Sequence, residues 1–225
     1  MTPVDLWRYE RKALLRGFHA VAGVDEAGRG PLAGPVVSAA VILPGDFVVG
    51  SVTDSKKLSP AKRERLYGRI CEQAVSVGVG IVDAPEIDCL NILRAALLSM
   101  AISVAKLLPQ PDCLLIDGTF KIPSDLPQDV IPKGDGLSVS IAAASIIAKV
   151  TRDRLMRRYD QQYPQYGFAS HKGYPTSAHR AAIREFGATP IHRRTFRGVK
   201  EYLSAYPQKI EARDAHQTST FRETK

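Results

Sequence analysis

Residues 21–43 read VAGVDEAGRGPLAGPVVSAAVIL, and this stretch decides which fold the sequence predicts. Residues 21–25 form an apolar run typical of a short buried strand, and the glycines at 28–30 interrupt the chain directly after it. Residues 33–43 are typical of a second strand, which the chain enters through a Gly-Pro pair. Because only a short glycine-rich turn separates the two runs, we expect the strands to pair like a hairpin.

Helices and further strands alternate along the rest of the chain. A helix is predicted over 4–16, and a second helix begins at Ser59, with Pro60 in its first turn. The remaining predicted elements are a strand over 75–82, a helix over 84–106 that breaks near Asn91, strands over 113–116 and 129–132, a long helix over 138–159 and a helix over 177–186. Such alternation indicates an α/β fold with a central mixed sheet flanked by helices.

Three segments of the chain differ in composition. Residues 1–159, with the N-terminal helix included, are expected to form the core of the domain. Residues 160–203 are rich in Tyr, Pro, Gly, His and Arg and are expected to form a small C-terminal helical extension. Residues 204–225 are polar, and we expect a disordered tail there.

Composition excludes several classes of protein. Of the 225 residues, 44% are hydrophobic and 24% are charged, which is ordinary for a soluble globular protein. The apolar stretch 141–148 is too short to span a bilayer, and the N-terminus lacks the pattern of a signal peptide. Cys71, Cys89 and Cys113 show neither metal-type spacing nor an even number, so we expect buried thiols in a reducing cytoplasm. These features predict a cytoplasmic monomer without membrane contact.

Positive charge is concentrated in one part of the sequence. Residues 149–200 hold twelve Lys and Arg against three acidic residues, a net charge of +9 in a chain whose total is +8. A basic face confined to one region is typical of a protein that follows a phosphate backbone. A solvated helix surface is the alternative interpretation of such a charge run.

Acidic residues occur where apolar runs meet glycine. Asp25 and Glu26 follow the first strand, Asp117 follows the strand at 113–116, and Asp135 stands between two glycines. Side chains at strand ends can converge, and carboxylates tolerate such proximity when a cation lies among them. Oxygen ligands of this kind suit Mg²⁺ or Mn²⁺, and two such ions serve in-line displacement at a phosphodiester. Each acid alone is equally compatible with a turn or a helix cap.

Two details of this region leave alternatives open. Adjacent strand residues point to opposite faces, so Asp25 and Glu26 converge only if the strand ends or twists at Glu26; otherwise Glu26 contributes its backbone carbonyl. In the segment Gly28-Arg29-Gly30, glycines permit close approach to a ligand and Arg29 offers donors to phosphate. No Gly-Lys-Ser/Thr follows, so the segment is not a Walker A loop.

Seven blocks of the sequence together resemble a known family. They are residues 21–43, DSKKLS at 54–59, LIDG at 115–118, KGD at 133–135, IAAASIIAKVTR at 141–152, YGFASHKGYPT at 166–176 and HRRTF at 192–196. In this order they resemble the signature blocks of bacterial ribonuclease HII, a type 2 ribonuclease H. The resemblance implies a ribonuclease H-like fold with a C-terminal helical, substrate-binding extension. Gly136 and Ser140 depart from the family pattern, and neither departure removes a candidate ligand.

The resemblance also implies a catalytic site and a substrate. It assigns a four-carboxylate site for two Mn²⁺ or Mg²⁺ ions to Asp25, Glu26, Asp117 and Asp135. The family cleaves on the 5′ side of ribonucleotides in RNA/DNA hybrids and in duplex DNA, and it leaves 3′-hydroxyl and 5′-phosphate ends. Its roles are the removal of misincorporated ribonucleotides and of RNA primers during replication and repair.

Further residues are candidate substrate contacts by the same resemblance. The backbone of Gly28, Arg29 and Gly30 is expected to read the ribose 2′-hydroxyl, and Tyr174 to pack on the sugar beside the junction. Lys56, Ser145 and Lys149 are candidate phosphate contacts, and Arg193, Arg194, Arg197 and the helix over 177–186 are expected to hold the duplex backbone. His171 and His192, interpreted as exposed histidines in a basic segment, favour phosphate contact or capping over catalysis.

Two other functions and one partner remain to be distinguished. A non-catalytic nucleic-acid-binding module would bind without hydrolysis and without a need for Mg²⁺ or Mn²⁺. A related nuclease, such as a junction resolvase, would cleave a different substrate. In the tail, Gln217–Phe221 faintly resembles motifs that dock on sliding clamps, although it lacks the aliphatic residues that fill a clamp pocket.

Overall fold

A five-stranded mixed sheet forms the centre of the fold. The structure is a computed structural model and describes residues 5–48 and 58–203. The strands are β1 Val21–Ala27, β2 Val36–Ile42, β3 Ser76–Val82, β4 Cys113–Asp117 and β5 Gln128–Ile131, and they lie in the order β3-β2-β1-β4-β5. Strand β1 pairs antiparallel with β2 and parallel with β4, β2 pairs antiparallel with β3, and β4 pairs parallel with β5. The predicted mixed sheet and the antiparallel β1–β2 pair are therefore confirmed.

Helices cover both faces of this sheet. The helices are α1 Arg8–Leu15, α2 Pro60–Gln73, α3 Ala84–Leu90, α4 Ile92–Ala105, α5 Val139–Gln162, α6 Phe168–His171, α7 Ser177–Phe186 and α8 Lys200–Leu203. The predicted bounds of α7 are confirmed, whereas α1 is shorter than predicted. It begins only after Trp7, whose side chain makes no capping hydrogen bond, so nothing at that end favours an earlier start.

Local sequence signals explain two helix boundaries. Ser59 caps α2 by accepting a hydrogen bond from the backbone N–H of Lys62, and Pro60 occupies the first turn, as predicted. The predicted break near Asn91 is also confirmed. Asn91 has φ of 72° and its side chain accepts hydrogen bonds from the N–H groups of Leu93 and Arg94, so it ends α3 and caps α4.

Glycine lets α5 lie unusually close to β1. A Cβ added at Gly23 would lie 2.1 Å from the backbone carbon of Ser140, so no side chain fits there. Ala142, Ile146 and their neighbours on α5 pack against the same sheet face in a fully buried cluster. This contact holds the start of α5 against the strand that carries Asp25, and it thereby positions the site described below.

A separate apolar cluster joins the C-terminal segment to the core. Tyr166, Phe168 and Ile183 are buried and pack against Leu32 and Met156, and the Tyr166 and Phe168 rings stack at a centroid distance of 5.3 Å. Because Leu32 directly follows the Gly28–Pro31 turn, the extension is anchored beside that turn.

Two sequence expectations concern the exterior of the molecule. Within residues 5–48 and 58–203 no single helix is long and apolar enough to cross a membrane; α3 and α4 together meet the length and composition test but are bent by 119°. The expectation of buried thiols is wrong for Cys71 and Cys89, which are exposed, while Cys113 on the inner strand β4 is buried. Cys71 and Cys89 lie on helices, where the sequence pattern does not decide their exposure.

Candidate active site

Parallel pairing brings Asp25 and Asp117 side by side. Val24 pairs with Ile116 across β1 and β4, so the next residue of each strand, Asp25 and Asp117, is level with the other and points to the same face of the sheet. That face is covered by α5, and Asp25 is only 4% exposed. A side-chain hydrogen bond joins Asp25 to Ser145 on α5. The convergence of these two predicted carboxylates therefore follows from strand register.

A tight turn at Asp135 contacts the end of β4 through the residue before it. It lies in a 3-10 turn, Gly134–Gly136, which follows Lys133 in a left-handed conformation at φ 59°. The N–H of Gly134 donates to Oδ1 of Asp117 at 2.6 Å, and a Cβ at Gly134 would lie 2.6 Å from Cδ1 of Ile141. Asp135 is 8% exposed. The glycine thus lets this turn approach the end of β4.

Glu26 stands at the end of the same strand. Strand β1 continues through Ala27 and ends there, and Gly28 follows at φ 99°. The Glu26 carboxylate accepts a hydrogen bond from the Arg29 guanidinium at 3.2 Å and keeps only 13% of its side-chain exposure. The strand therefore ends at Ala27, one residue beyond the end at Glu26 that would let the two carboxylates converge. The Glu26 side chain and Ser145 line one cavity, described below.

Burial, with added repulsion between neighbouring charges, raises the pKa of Asp25 and Glu26. Burial raises the pKa of Asp25 well above its usual value, and the charges of Glu26 and Asp117 raise it further. Burial also raises the pKa of Glu26; Arg29 opposes that shift, and the charge of Asp117 adds to it. Arg29 compensates the Glu26 charge only in part, so the deprotonated carboxylates remain disfavoured at this site.

The donor set fits a hard divalent cation. All candidate donors are carboxylate oxygens, which Mg²⁺ and Mn²⁺ prefer, and a bound cation would relieve the repulsion between Asp25, Glu26 and Asp117. Within the described part of the chain, no three His, Cys, Asp or Glu side chains are already arranged as a metal-holding group. Oδ1 of Asp25 and Oδ1 of Asp117 instead accept backbone N–H groups, at 2.7 and 2.6 Å.

A cavity of about 390 Å³ opens next to these carboxylates. It brings together five of the predicted site positions, Glu26, Gly28, Ser145, Lys149 and Tyr174. The full lining is Glu26, Ala27, Gly28, Arg63, Ser145, Lys149, Arg152 and Tyr174. Sequence reasoning missed Arg63 and Arg152, although Arg63 lies in the first turn of α2, directly after the DSKKLS block.

The Tyr174 side chain lies over the glycine-rich turn. A Cβ placed on Gly30 would be 3.6 Å from Cε1 of Tyr174, an ordinary contact distance, and 44% of Tyr174 is exposed. The N–H of Leu32 donates to the carbonyl of Gly173 at 2.8 Å, which ties the two segments together. A sugar bound at Gly28–Gly30 would therefore meet the exposed tyrosine ring.

Three histidines support the loop that carries Tyr174. Nδ1–H of His179 donates to the carbonyl of Tyr174 at 2.9 Å, so its Nε2 accepts, and Nε2–H of His192 donates to it at 3.0 Å. Nδ1 of His192 then accepts the N–H of Thr189 at 2.9 Å. Nδ1 of His171 accepts the N–H of Gly173 at 3.1 Å. Burial lowers the pKa of His179 to about 4 and that of His192 to about 3, which agrees with neutral rings.

Two sequence interpretations are corrected by burial. His192 was expected to be exposed, but only 1% of it is, because it packs against Tyr166 and Phe168. His179, which the sequence patterns did not single out, is fully buried beside it. Arg193 is 0% exposed, so the expectation that its guanidinium holds the duplex backbone is wrong. That guanidinium donates instead to backbone carbonyls of the glycine-rich turn.

The other candidate phosphate contacts have different surroundings. Lys149 pairs with Asp153 at 2.5 Å, one turn further along α5. Arg194 is exposed, and its backbone N–H donates to Asp88 at 2.7 Å. Arg197 and the α7 arginines Arg180 and Arg184 are exposed on the extension. Lys56 and Gln217–Phe221 lie outside the described residues.

Comparison with solved structures identifies the class. A ribonuclease H2 from Pyrococcus horikoshii OT3 superimposes with a TM-score of 0.72 at 27% identity, covering 84% of this chain and 99% of that one. A structure of a PCNA:RNase HII complex from Archaeoglobus fulgidus matches with a TM-score of 0.66 at 26% identity, over 80% of this chain and 96% of that one. Fold and site together define a hydrolase of the ribonuclease H class with the ribonuclease H-like α/β fold.

Sequence comparison resolves the family within that class. The profile for ribonuclease HII matches residues 22–199, and a ribonuclease HII from Geobacter metallireducens is 61% identical over 200 residues, covering 89% of this chain and 94% of that protein. The chain belongs to the ribonuclease HII family. It is accordingly a ribonuclease H endonuclease.

Proposed function

We propose that this endonuclease cleaves on the 5′ side of single ribonucleotides embedded in duplex DNA as well as within RNA/DNA hybrids, and that it leaves 3′-hydroxyl and 5′-phosphate ends. The observation that carries this proposal is the proximity of two features. The carboxylates of Asp25 and Glu26 lie on the last residues of β1, and the turn at Gly28–Gly30, with the Tyr174 ring above it, follows at once. Chemistry and sugar recognition therefore occur on consecutive residues.

The four carboxylates are the proposed metal ligands. Asp25, Glu26, Asp117 and Asp135 would hold two Mn²⁺ or Mg²⁺ ions. Bound ions supply an activated water and neutralise the charge that develops on the leaving 3′-oxygen. Ser145 orients the Asp25 carboxylate through its hydrogen bond, and Arg29 holds Glu26. No side chain of this site is required as a general base, and His171 and His192 are engaged in supporting the Tyr174 loop.

The turn and the tyrosine account for sugar selectivity. A ribose 2′-hydroxyl both donates and accepts hydrogen bonds, so a backbone placed beside it distinguishes RNA from DNA. Gly30 is exposed and has no side chain to keep a sugar away, and Tyr174 offers an apolar ring face to the neighbouring deoxyribose. A single ribonucleotide followed by DNA presents both features to the site.

Exposed cations of the extension are proposed to hold the duplex. They include Arg180, Arg184, Arg194 and Arg197, all on the extension that carries Tyr174. Lys149 and Ser145 line the cavity beside the carboxylates, where a phosphate next to the cleaved bond would lie. Lys56 stays a prediction, as do the monomeric state and the cytoplasmic location. A clamp contact through 217–221 is supported only by the Archaeoglobus relative solved with PCNA, and a pull-down with and without 204–225 tests it.

The decisive experiment uses a duplex with one embedded ribonucleotide. In Mg²⁺ or Mn²⁺ we expect a single cut whose mapped ends are a 3′-hydroxyl and a 5′-phosphate on the 5′ side of the ribonucleotide. Chelation with EDTA is expected to abolish the cut. Binding without hydrolysis in either metal would instead identify a non-catalytic module, and cutting of hybrids alone would remove the single-ribonucleotide part of the proposal.

A pair of Tyr174 variants tests junction recognition. Tyr174→Ala removes the ring and is expected to lower kcat/KM on the single-ribonucleotide duplex by about 10-fold or more, since stacking of one base or sugar on an aromatic ring is worth ~1–3 kcal/mol. Tyr174→Phe retains the ring and is the matched control, expected within about 3-fold of the unaltered enzyme. Equal kcat/KM for the Ala variant and the unaltered enzyme would refute the assigned role.

A further inference from the structure

Two buried arginines lie beneath the glycine-rich turn. Arg193 donates from Nε to the carbonyl of Gly34 at 3.0 Å, and from its two terminal nitrogens to the carbonyls of Arg29 at 2.8 Å and Gly28 at 2.5 Å. Arg152 on α5 donates to the carbonyls of Pro35, Lys172 and Ala33 at 2.9, 3.0 and 3.1 Å. Six backbone carbonyls thus converge on two guanidinium groups. Five of them belong to the segment 28–35 and one to the loop that carries Tyr174.

Burying these two arginines costs folding free energy that only their hydrogen bonds to the backbone offset. Arg152 and Arg193 are 1% and 0% exposed, and no carboxylate forms a salt bridge with either among residues 5–48 and 58–203. Burial lowers the pKa of Arg152 to about 10, and burial together with the nearby Arg152 charge lowers that of Arg193 to about 9. Two adjacent buried cations without a salt-bridge partner destabilise a fold, so apolar residues would be favoured if stability alone mattered.

Hydrogen bonds to Arg193 determine which way the turn presents its amides. In a trans peptide the C=O of one residue and the N–H of the next point in opposite directions. Because the carbonyls of Gly28 and Arg29 point inward to Arg193, the N–H groups of Arg29 and Gly30 point away from it. In the described part of the chain neither N–H group donates to a protein acceptor. Both amides are therefore available to an oxygen of the substrate.

Arg152 joins this turn to the tyrosine loop. A Cβ on Gly28 would lie 2.1 Å from Nε of Arg152, so the guanidinium packs directly against the glycine backbone. The same side chain binds the carbonyl of Lys172, two residues before Tyr174, and lines the cavity beside the carboxylates. A displacement of Arg152 would therefore move the turn and the Tyr174 loop together.

We propose that Arg193 and Arg152 are positioning residues for sugar recognition: by binding the carbonyls of 28–35 and of Lys172, they orient the Arg29 and Gly30 amides and the Tyr174 ring toward one ribose. This inference rests on the proposed function, because it concerns how the same turn reads a 2′-hydroxyl. Both guanidinium groups are buried on backbone carbonyls, so each acts on sugar recognition through the backbone that it binds. A lysine at either position keeps the charge but cannot bind three carbonyls in the plane of a guanidinium fork.

The test compares Arg193→Lys and Arg152→Lys with Arg69→Lys in the full-length enzyme. Arg69 lies on α2 and also donates to a backbone carbonyl, that of Val48 at 2.7 Å, but it is remote from the cavity, so its variant is the matched control. KM is measured in Mg²⁺ on a duplex with one ribonucleotide, and an all-DNA duplex of the same sequence serves as a competitor that gives Ki. The ratio of Ki to KM reports discrimination of the sugar.

Arg193→Lys is expected to lower the Ki/KM ratio by about 10-fold, the factor for one lost hydrogen bond, while Ki itself changes less than 2-fold. Arg152→Lys is expected to lower the ratio in the same direction and also to reduce kcat, because it moves Tyr174. Arg69→Lys is expected to leave both constants unchanged. A general structural defect would change Ki and KM together, whereas the proposed role changes their ratio.

The outcomes separate this inference from the function on which it rests. A ratio of one for the unaltered enzyme would refute sugar recognition itself. A ratio that is high in the unaltered enzyme and retained within 2-fold in both lysine variants would overturn the positioning role alone. If a lysine variant does not fold, amide hydrogen exchange of the unaltered enzyme replaces it. Arg29 and Gly30 are then expected to gain protection with the ribonucleotide duplex and not with all-DNA, and equal protection by both duplexes would overturn the inference.

Discussion

Acidification is expected to destabilise this enzyme through the hydrogen-bonded pair His179 and His192. Nε2–H of His192 donates to Nε2 of His179 at 3.0 Å, so a second proton on His179 would place two N–H groups against each other, and a second proton on His192 would place its Nδ1–H against the N–H of Thr189. In the folded chain the pKa of His179 is lowered to about 4 and that of His192 to about 3, from an ordinary value of 6.5. The folded state therefore holds both rings neutral at pH values where the unfolded chain protonates them.

The sign and size of the effect follow from these pKa values. A depressed histidine pKa contributes stability above pH 6.5, and that contribution is lost as the pH falls toward about 4 for His179 and about 3 for His192. At pH 5.0 the unfolded chain binds nearly one proton more per histidine than the folded chain, whereas at pH 7.5 the two states bind almost the same number. Each ring then costs about 2 kcal/mol of unfolding free energy at pH 5.0, at ~1.4 kcal/mol per pH unit.

Urea denaturation at pH 7.5 and pH 5.0 measures this dependence in three proteins. His192→Gln removes one titrating ring and is expected to reduce the loss of unfolding free energy between the two pH values by about 2 kcal/mol. The variant is also expected to be less stable at pH 7.5, because Thr189 loses its acceptor. His19→Gln removes an exposed histidine and is the matched control. If the loss of unfolding free energy between pH 7.5 and pH 5.0 in His192→Gln lies within about 0.5 kcal/mol of that in the unaltered protein, the assignment of neutral rings is refuted, because surface substitutions ordinarily change stability by about that much.

Three further outcomes are expected. Asp25→Asn removes a carboxylate whose pKa is raised, so thermal melts in EDTA at pH 7 are expected to show a Tm higher by about 2–4 °C. In cleavage assays with metal, kcat of the same variant is expected to fall by about 10³-fold or more. Asp46→Asn, at an exposed position, is the control and is expected to change neither quantity. Gly28→Ala is expected to cost about 2 kcal/mol or more of unfolding free energy, because the backbone there has φ 99° and the added Cβ would collide with Arg152. Gly30→Ala is expected to cost less than about 0.5 kcal/mol and to raise KM. Similar stabilities for the two variants would contradict this difference. If the four exposed arginines of the extension each contact a phosphate, affinity for the duplex is expected to fall about 100-fold between 50 and 200 mM salt. A filter-binding titration in which affinity does not change with salt would exclude these arginines as the duplex site.

The carboxylate site could be predicted because each acid follows a recognisable local signal. Asp25 and Asp117 end apolar runs that form neighbouring parallel strands, and Asp135 stands between glycines that allow its turn to approach β4. The same reasoning could not decide how Glu26 is placed, since alternation along a strand assigns opposite faces to adjacent residues. That question depends on where β1 ends, and its end at Ala27 depends on pairing with β2, a tertiary contact.

Burial in the extension could not be read from local sequence. Arg193 and Arg194 are adjacent and chemically identical, yet one is fully buried and the other exposed. The difference arises because residues 28–34 present carbonyls on one side of the segment 192–196, more than 150 positions away along the chain. His179 was missed for the same reason, since its partner His192 is brought to it only when α7 packs on the Tyr166–Phe168 stack.

The basic region therefore serves two purposes that its net charge does not distinguish. Arg154 and Arg157 pair with Glu64 on α2, Lys149 pairs with Asp153, and such surface pairs add little to stability or to long-range attraction. The exposed arginines of the extension act on the duplex through solvent, so salt weakens them. Arg152 and Arg193 are shielded from solvent and act through fixed carbonyls, so their effect is expected to survive high salt. Sugar discrimination, the Ki/KM ratio, should then stay nearly constant while overall affinity falls. A ratio that declines in parallel with affinity would mean that exposed charge, and not the buried guanidinium pair, governs recognition of the ribose.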